Sequence, residues 1–103
     1  MRIEILKSAK GDLRQGVRFY ESHEPGLGVY FLETLYSDID SLRLFAGIHE
    51  IHFEEYYRLL SKRFPFAVYY QFDGDTVRIF AILDCRRNPA WIREKLGSGR
   101  TDS

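Results

Sequence analysis

Phe66-Ala67-Val68-Tyr69-Tyr70-Gln71-Phe72-Asp73-Gly74-Asp75-Thr76-Val77-Arg78-Ile79-Phe80-Ala81-Ile82-Leu83 is the stretch that decides the fold. Phe66, Val68, Tyr70 and Phe72 alternate with Ala67, Tyr69 and Gln71, and a period of two is the signature of a strand with one face in a core. Asp73-Gly74-Asp75 is a tight-turn signal, because glycine reaches the dihedrals of a turn without a Cβ clash. Beyond it Val77, Ile79, Ala81 and Leu83 resume the alternation, which predicts a β-hairpin with these four on one face.

Toward the C-terminus, Pro89 opens a short helix over Ala90–Leu96, with Trp91 and Ile92 placed to pack back on the body. The last residues, 97–103, read as a flexible tail. Toward the N-terminus, Tyr57 and Leu59 suggest one more short strand. Before Gly47 the period changes: Phe31, Leu35, Ile39 and Leu42 recur at helical spacing and predict a helix over Leu27–Phe45. Glu24-Pro25-Gly26 breaks it from an earlier helix that carries Leu13, Gly16, Val17 and Tyr20 on one stripe, with Arg14, Arg18 and Glu21 elsewhere. Ser8 is placed to cap that helix, and Asp12 to favour its dipole. Arg2 and Glu4 against Ile3 and Ile5 make a short strand. The order predicts an α+β domain over residues 1–96: an N-terminal strand, an antiparallel two-helix hairpin on a mostly antiparallel sheet of three to four strands, and a short C-terminal helix.

With 103 residues, 45% of them hydrophobic and 16% aromatic, the chain builds a core without disulfides or metal. The one cysteine, Cys85, excludes an internal disulfide and a multi-cysteine zinc site. No stretch reads as a membrane span or signal peptide, so a cytoplasmic protein is expected. Fifteen basic and fifteen acidic residues cancel, which argues against sequence-specific DNA binding by the chain alone. The surplus is local: between Tyr56 and Lys95 eight basic side chains face four acidic ones, a modest positive face on the C-terminal half.

Three segments resemble the ParE/RelE toxins of plasmid-stabilisation systems. They are Ser8-Ala9-Lys10-Gly11-Asp12-Leu13 with Phe19-Tyr20-Glu21 and Pro25-Gly26-Leu27-Gly28, then Tyr57 through Tyr70, then Ala81-Ile82-Leu83-Asp84-Cys85-Arg86-Arg87-Asn88-Pro89. They follow one another in family order and span nearly the whole chain. The Pro-Gly-Leu-Gly turn and the Arg-Arg-Asn-Pro segment are similar to the ParE branch. The resemblance implies the toxin of a type II toxin–antitoxin system, with a cognate antitoxin as partner and DNA gyrase as target. The RelE branch implies the ribosome instead, and messenger-RNA cleavage there. A non-toxic module acting only with its antitoxin is a third reading, and a homodimer is compatible with all three. None needs a cofactor or a metal.

The expected target-binding residues are Arg58, Lys62, Arg63, Arg86, Arg87, Trp91 and Arg93. RelE-type cleavage needs a base, an acid and cations. Arg63, Arg86 and Arg87 supply cations, since a guanidinium binds phosphate bidentately. Asp84 stands where many relatives carry a histidine, and Asp84 or Tyr57 is the candidate base. Trp91 stands where ribosome-dependent members place a titratable side chain. Against these roles stand plainer ones: one of Arg86 and Arg87 paired with Asp84 or Glu94 and the other solvated, and Lys62-Arg63 as a solvated strand start. Likewise His49 and His52 read as surface histidines, Cys85 as a half-buried thiol, and the aromatic series Phe64, Phe66, Tyr69, Tyr70, Phe72 and Phe80 as mostly core rather than a base-stacking platform.

Overall fold

The computed structural model describes residues 1–97. In chain order the elements are β1 (Arg2–Ile5), α1 (Lys7–His23), α2 (Leu27–Asp40), α3 (Leu42–Phe45), β2 (Ile51–His52), β3 (Tyr56–Leu60), β4 (Phe66–Phe72), β5 (Thr76–Asp84) and α4 (Pro89–Gly97). The five strands form one sheet in the order β1-β5-β4-β3-β2, with β1 parallel to β5 and the other pairs antiparallel. The expected α+β order holds, and β2 adds a two-residue strand at the edge. Residues 98–103, which carry most of the expected flexible tail, lie outside the described residues; Gly97 closes α4.

The sheet separates two cores. Phe66, Val68 and Tyr70 of β4 meet Leu13, Phe31, Leu35 and Ile39 of the helical pair on one face. On the other, Ala67 and Tyr69 meet Ile92 and Leu96 of α4. The expected single face for Val77, Ile79, Ala81 and Leu83 is corrected by a β-bulge. Tyr70 pairs with Ile79 but Tyr69 pairs with Ala81, so Phe80 is an extra residue on β5. One extra residue inverts every later side chain. Val77, Ile79 and Ile82 therefore face the helical pair, while Ala81 and Leu83 face α4.

β1 runs out before β5 does, and α1 covers the remaining edge. Leu6 N–H still bonds Ile79 O at 3.0 Å; then Ser8 Oγ donates to Phe80 O at 2.9 Å and Asp12 Oδ2 accepts from Ile82 N–H at 3.0 Å. Two side chains four apart on a helix share one face, so they stand in for a strand. This corrects two expectations: Leu6, not Ser8, is the N-cap residue of α1, and Asp12 serves the sheet edge rather than the first helical turn.

The helical pair approaches closely at two glycines. A Cβ on Gly16 would lie 2.5 Å from the Phe31 ring, and one on Gly28 would lie 2.8 Å from Val17 O. Glu21 of α1 accepts from Gly26 N–H and Gly28 N–H at 3.0–3.1 Å, so a carboxylate from one helix satisfies the first amides of the next. The helix expected over Leu27–Phe45 stops at Asp40, because Ser41 Oγ donates to Asp38 O at 2.6 Å and competes for the helical carbonyl. Leu42–Phe45 is a separate turn of helix.

Candidate functional site

α4 owes its position to Asn88. Asn88 Oδ1 accepts from Ala90 N–H at 2.7 Å, Pro89 follows at the first helical position, and Asn88 O takes Trp91 N–H and Ile92 N–H. Ile92 and Leu96 then point into the second core, and Arg87, Trp91 and Lys95, spaced by four, lie along the flank toward α1. Together with Asp12, Gln15 and Phe19 of α1 and Leu83 and Asp84 of β5 they line a groove of about 310 Å³. Phe19 keeps half of its surface exposed, at 50%.

The two adjacent arginines divide. Arg86 folds back on Asp84, donating from Nε at 3.0 Å and from Nη2 at 2.7 Å, and its backbone N–H donates to the same carboxylate. These bonds from Arg86, chiefly its side chain, hold the Asp84 carboxyl below the ordinary carboxylate range. Arg87 instead lies over the Trp91 ring, 3.9 Å from its centroid, and the Lys95 ammonium stands 5.6 Å from that ring. Asp84, Arg87 and Trp91 therefore share one groove, and Arg86 is bound to its Asp84.

The other expected residues lie apart. Arg58 falls on the α4 face of the sheet, paired across β3 and β4 with Tyr69, whose hydroxyl burial pushes up in pKa while Arg58 opposes the shift. Arg93 lies over the Phe53 ring at 5.1 Å. Phe53 and Glu54 both have positive φ, 55° and 67°, in the turn that brings Phe53 under α4. Lys62 and Arg63 line a separate depression with Tyr30, Glu33 and Asp38 of α2. Tyr57 stacks on Tyr70 at 5.2 Å beneath the helical pair, away from Arg86 and Arg87. Of the expected cleavage residues, Asp84, Arg86 and Arg87 lie together, while Arg63 lines the depression beside α2 and Tyr57 stacks on Tyr70.

The histidines take separate partners: His49 Nδ1 meets the Tyr70 hydroxyl, and His52 Nε2 lies 2.9 Å from Glu50. Cys85 is half-buried, with Sγ 3.3 Å from Pro65 O. Phe66, Tyr69 and Tyr70 are core, and Phe64, Phe72 and Phe80 are half-buried against it.

A second groove had no counterpart in the sequence reading. It runs between α1 and α2 on their outer side, holds about 390 Å³, and is lined by Lys10, Leu13, Arg14, Val17, Arg18, Leu32 and Tyr36. Lys10, Arg14 and Arg18 recur every four residues. That spacing was visible in the chain, but the acidic surplus of residues 1–52 concealed it.

One mixed sheet, a helical pair on one face and a short helix closing the other define a small α+β domain with grooves on both sides of α1. The same fold occurs in a solved structure described as "Chromosomal ParDE TA system from P. aeruginosa": TM-score 0.72, 17% identity, 80% of this chain and 92% of that one covered. The chain has the ParE-like fold. No family model and no curated protein matches its sequence.

Proposed function

We propose that this chain is the toxin of a type II toxin–antitoxin pair, of the ParE-like kind, held by a cognate antitoxin and directed at DNA gyrase. The observation that carries the reading is the fold shared along 92% of a chain from a ParDE system. The site favours a binding role over RNA cleavage. Asp84 is tied to Arg86 by three hydrogen bonds that hold its pKa below the ordinary carboxylate range, which makes it a weak base near neutral pH. Arg87 over Trp91, by contrast, is a flat cationic and aromatic surface of the kind that anchors protein interfaces.

The test adds the purified chain to a gyrase supercoiling reaction and, separately, to cell-free translation. Inhibition of supercoiling that is lost in Arg87→Ala/Trp91→Ala, with translation untouched, is the expected result. Cleavage of messenger RNA on ribosomes with supercoiling unaffected would transfer the reading to the RelE branch. Inhibition of neither would leave the antitoxin-bound, non-toxic module.

A further inference from the structure

We infer that the open edge of the sheet at β2 pairs with β2 of a second copy of this chain, antiparallel about a two-fold axis at Ile51. The product is a weak, reversible dimer with one sheet running through both copies. The inference goes beyond the toxin reading and does not depend on it.

The two ends of the sheet differ. At the β1 end α1 takes over where the strand stops, through Ser8 on Phe80 O and Asp12 on Ile82 N–H. At the other end β2 is the last strand. No lysine or proline, the residues that commonly blunt an exposed edge, occurs between Leu44 and Tyr57. Arg58 N–H donates to Glu50 O at 2.9 Å, so Glu50 faces β3. Backbone directions alternate along an antiparallel ladder, and Ile51 therefore turns its N–H and C=O to the open side. Its side chain lies opposite Tyr57, on the face of the helical pair, and is 56% exposed. Leu44 and Ile48, just before it in the chain, are 82% and 72% exposed. Large apolar side chains gathered on so short an exposed segment mark a contact surface.

The register decides for a second copy. Pairing about Ile51 gives two backbone bonds, from Ile51 N–H of each copy to Ile51 O of the other. It sets Glu50 of each copy opposite His52 of the other, on the α4 side of the sheet. Within one chain His52 Nε2 already lies 2.9 Å from Glu50. The axis thus gathers two carboxylates and two imidazoles in alternation, each acceptor between two donors. Moving the axis by one residue destroys this match: centred on Glu50 it sets Glu50 opposite Glu50, and centred on His52 it sets Glu50 opposite Glu54. A strand that complements itself in one register is what an isologous interface requires. The edge is short, well below the roughly 20–30 residues a side of a stable interface, so a dissociation constant of about 10–100 µM is expected.

Sedimentation velocity on the full chain between about 1 and about 500 µM tests the pairing. The mass is expected to rise across that range from that of one chain to that of two. Ile51→Pro is expected to stay monomeric while keeping its own sheet, because the N–H it removes is the one directed outward. Glu50→Lys is expected to weaken the dimer at least about tenfold, and Glu50→Lys/His52→Glu to restore it, since opposite charges again face each other across the axis. Circular dichroism checks that each variant is folded. On wild type, amide hydrogen exchange at Ile51 is expected to slow as concentration rises, which needs no substitution. A chain still monomeric at about 500 µM would overturn the inference and leave the edge to a strand of another protein. So would exchange at Ile51 that ignores concentration, or a dimer indifferent to Ile51→Pro, which places the contact elsewhere. A double variant no better than Glu50→Lys would overturn the register about Ile51.

Discussion

Asp12 does for β5 what a neighbouring strand would otherwise do. Its carboxylate accepts from Ile82 N–H at 3.0 Å, one step beyond Ser8 on Phe80 O. Leaving that amide unpaired costs about 1–3 kcal/mol. Asp12→Ala is therefore expected to lower stability by about that amount, while Asp12→Asn, whose amide oxygen still accepts, should retain most of it. Urea unfolding midpoints check the pair; equal losses in both would return Asp12 to a role through its charge alone. His49 gives a pH-dependent case. The Tyr70 hydroxyl accepts from Gly47 N–H at 3.1 Å and meets His49 Nδ1, and burial lowers the His49 pKa. A histidine that resists protonation when folded binds its proton more readily unfolded. Its contribution is fully present above the ordinary histidine value of about 6.5, and declines as pH falls below that value through the folded pKa. Melting temperatures between neutral and mildly acidic pH should fall more steeply for wild type than for His49→Gln. Parallel curves would contradict this.

Among the elements, α1 and α2 are held at a distance that only glycine permits. At Gly28 a Cβ would meet a backbone carbonyl 2.8 Å away, which cannot rotate aside. At Gly11, also in α1, a Cβ would meet only the end of Arg14 at 3.8 Å. Gly28→Ala should therefore destabilise by about 1–3 kcal/mol through crowding, although alanine favours a helix by about 1 kcal/mol. Gly11→Ala should gain about 0.5–1 kcal/mol. Thermal unfolding of both variants checks the contrast, and a stabilised Gly28→Ala would contradict the packing described. The sequence shows the hairpin, the breaker at Glu24-Pro25-Gly26 and the helix start at Pro89, because each is a local preference of the residues concerned. The bulge at Phe80 was illegible: every residue from Val77 to Leu83 suits a strand, and only pairing with Tyr69 and Tyr70 shows which one is extra. The end of α2 at Asp40 was missed for a related reason. Ser41 and Asp38 are tolerated inside a helix, and it is the bond between them that stops it.

Over the whole molecule, a zero net charge conceals a partition set by the fold. Carboxylates at Asp12, Glu21 and Asp84 are engaged in internal hydrogen bonds, and cations at Lys10, Arg14 and Arg18 are left along one groove. A second cationic surface, Arg87 on Trp91, borders the other groove. The contact of Arg87 with Trp91 was legible because the two are close in sequence. What the chain did not disclose was the division of labour, with Arg86 serving Asp84 and Arg87 serving the surface. The α1–α2 groove was hidden because its two walls are about twenty residues apart and its charge is cancelled in any composition count. The central claim, that this domain is a toxin acting through its α4 surface, is tested most directly by colony-forming units after inducing the chain alone in a bacterial host, beside Arg87→Ala/Trp91→Ala at equal soluble levels. The account predicts that viable counts collapse for wild type and hold for the double variant. Unaffected growth with soluble, folded wild-type protein, or equal killing by both, would contradict it.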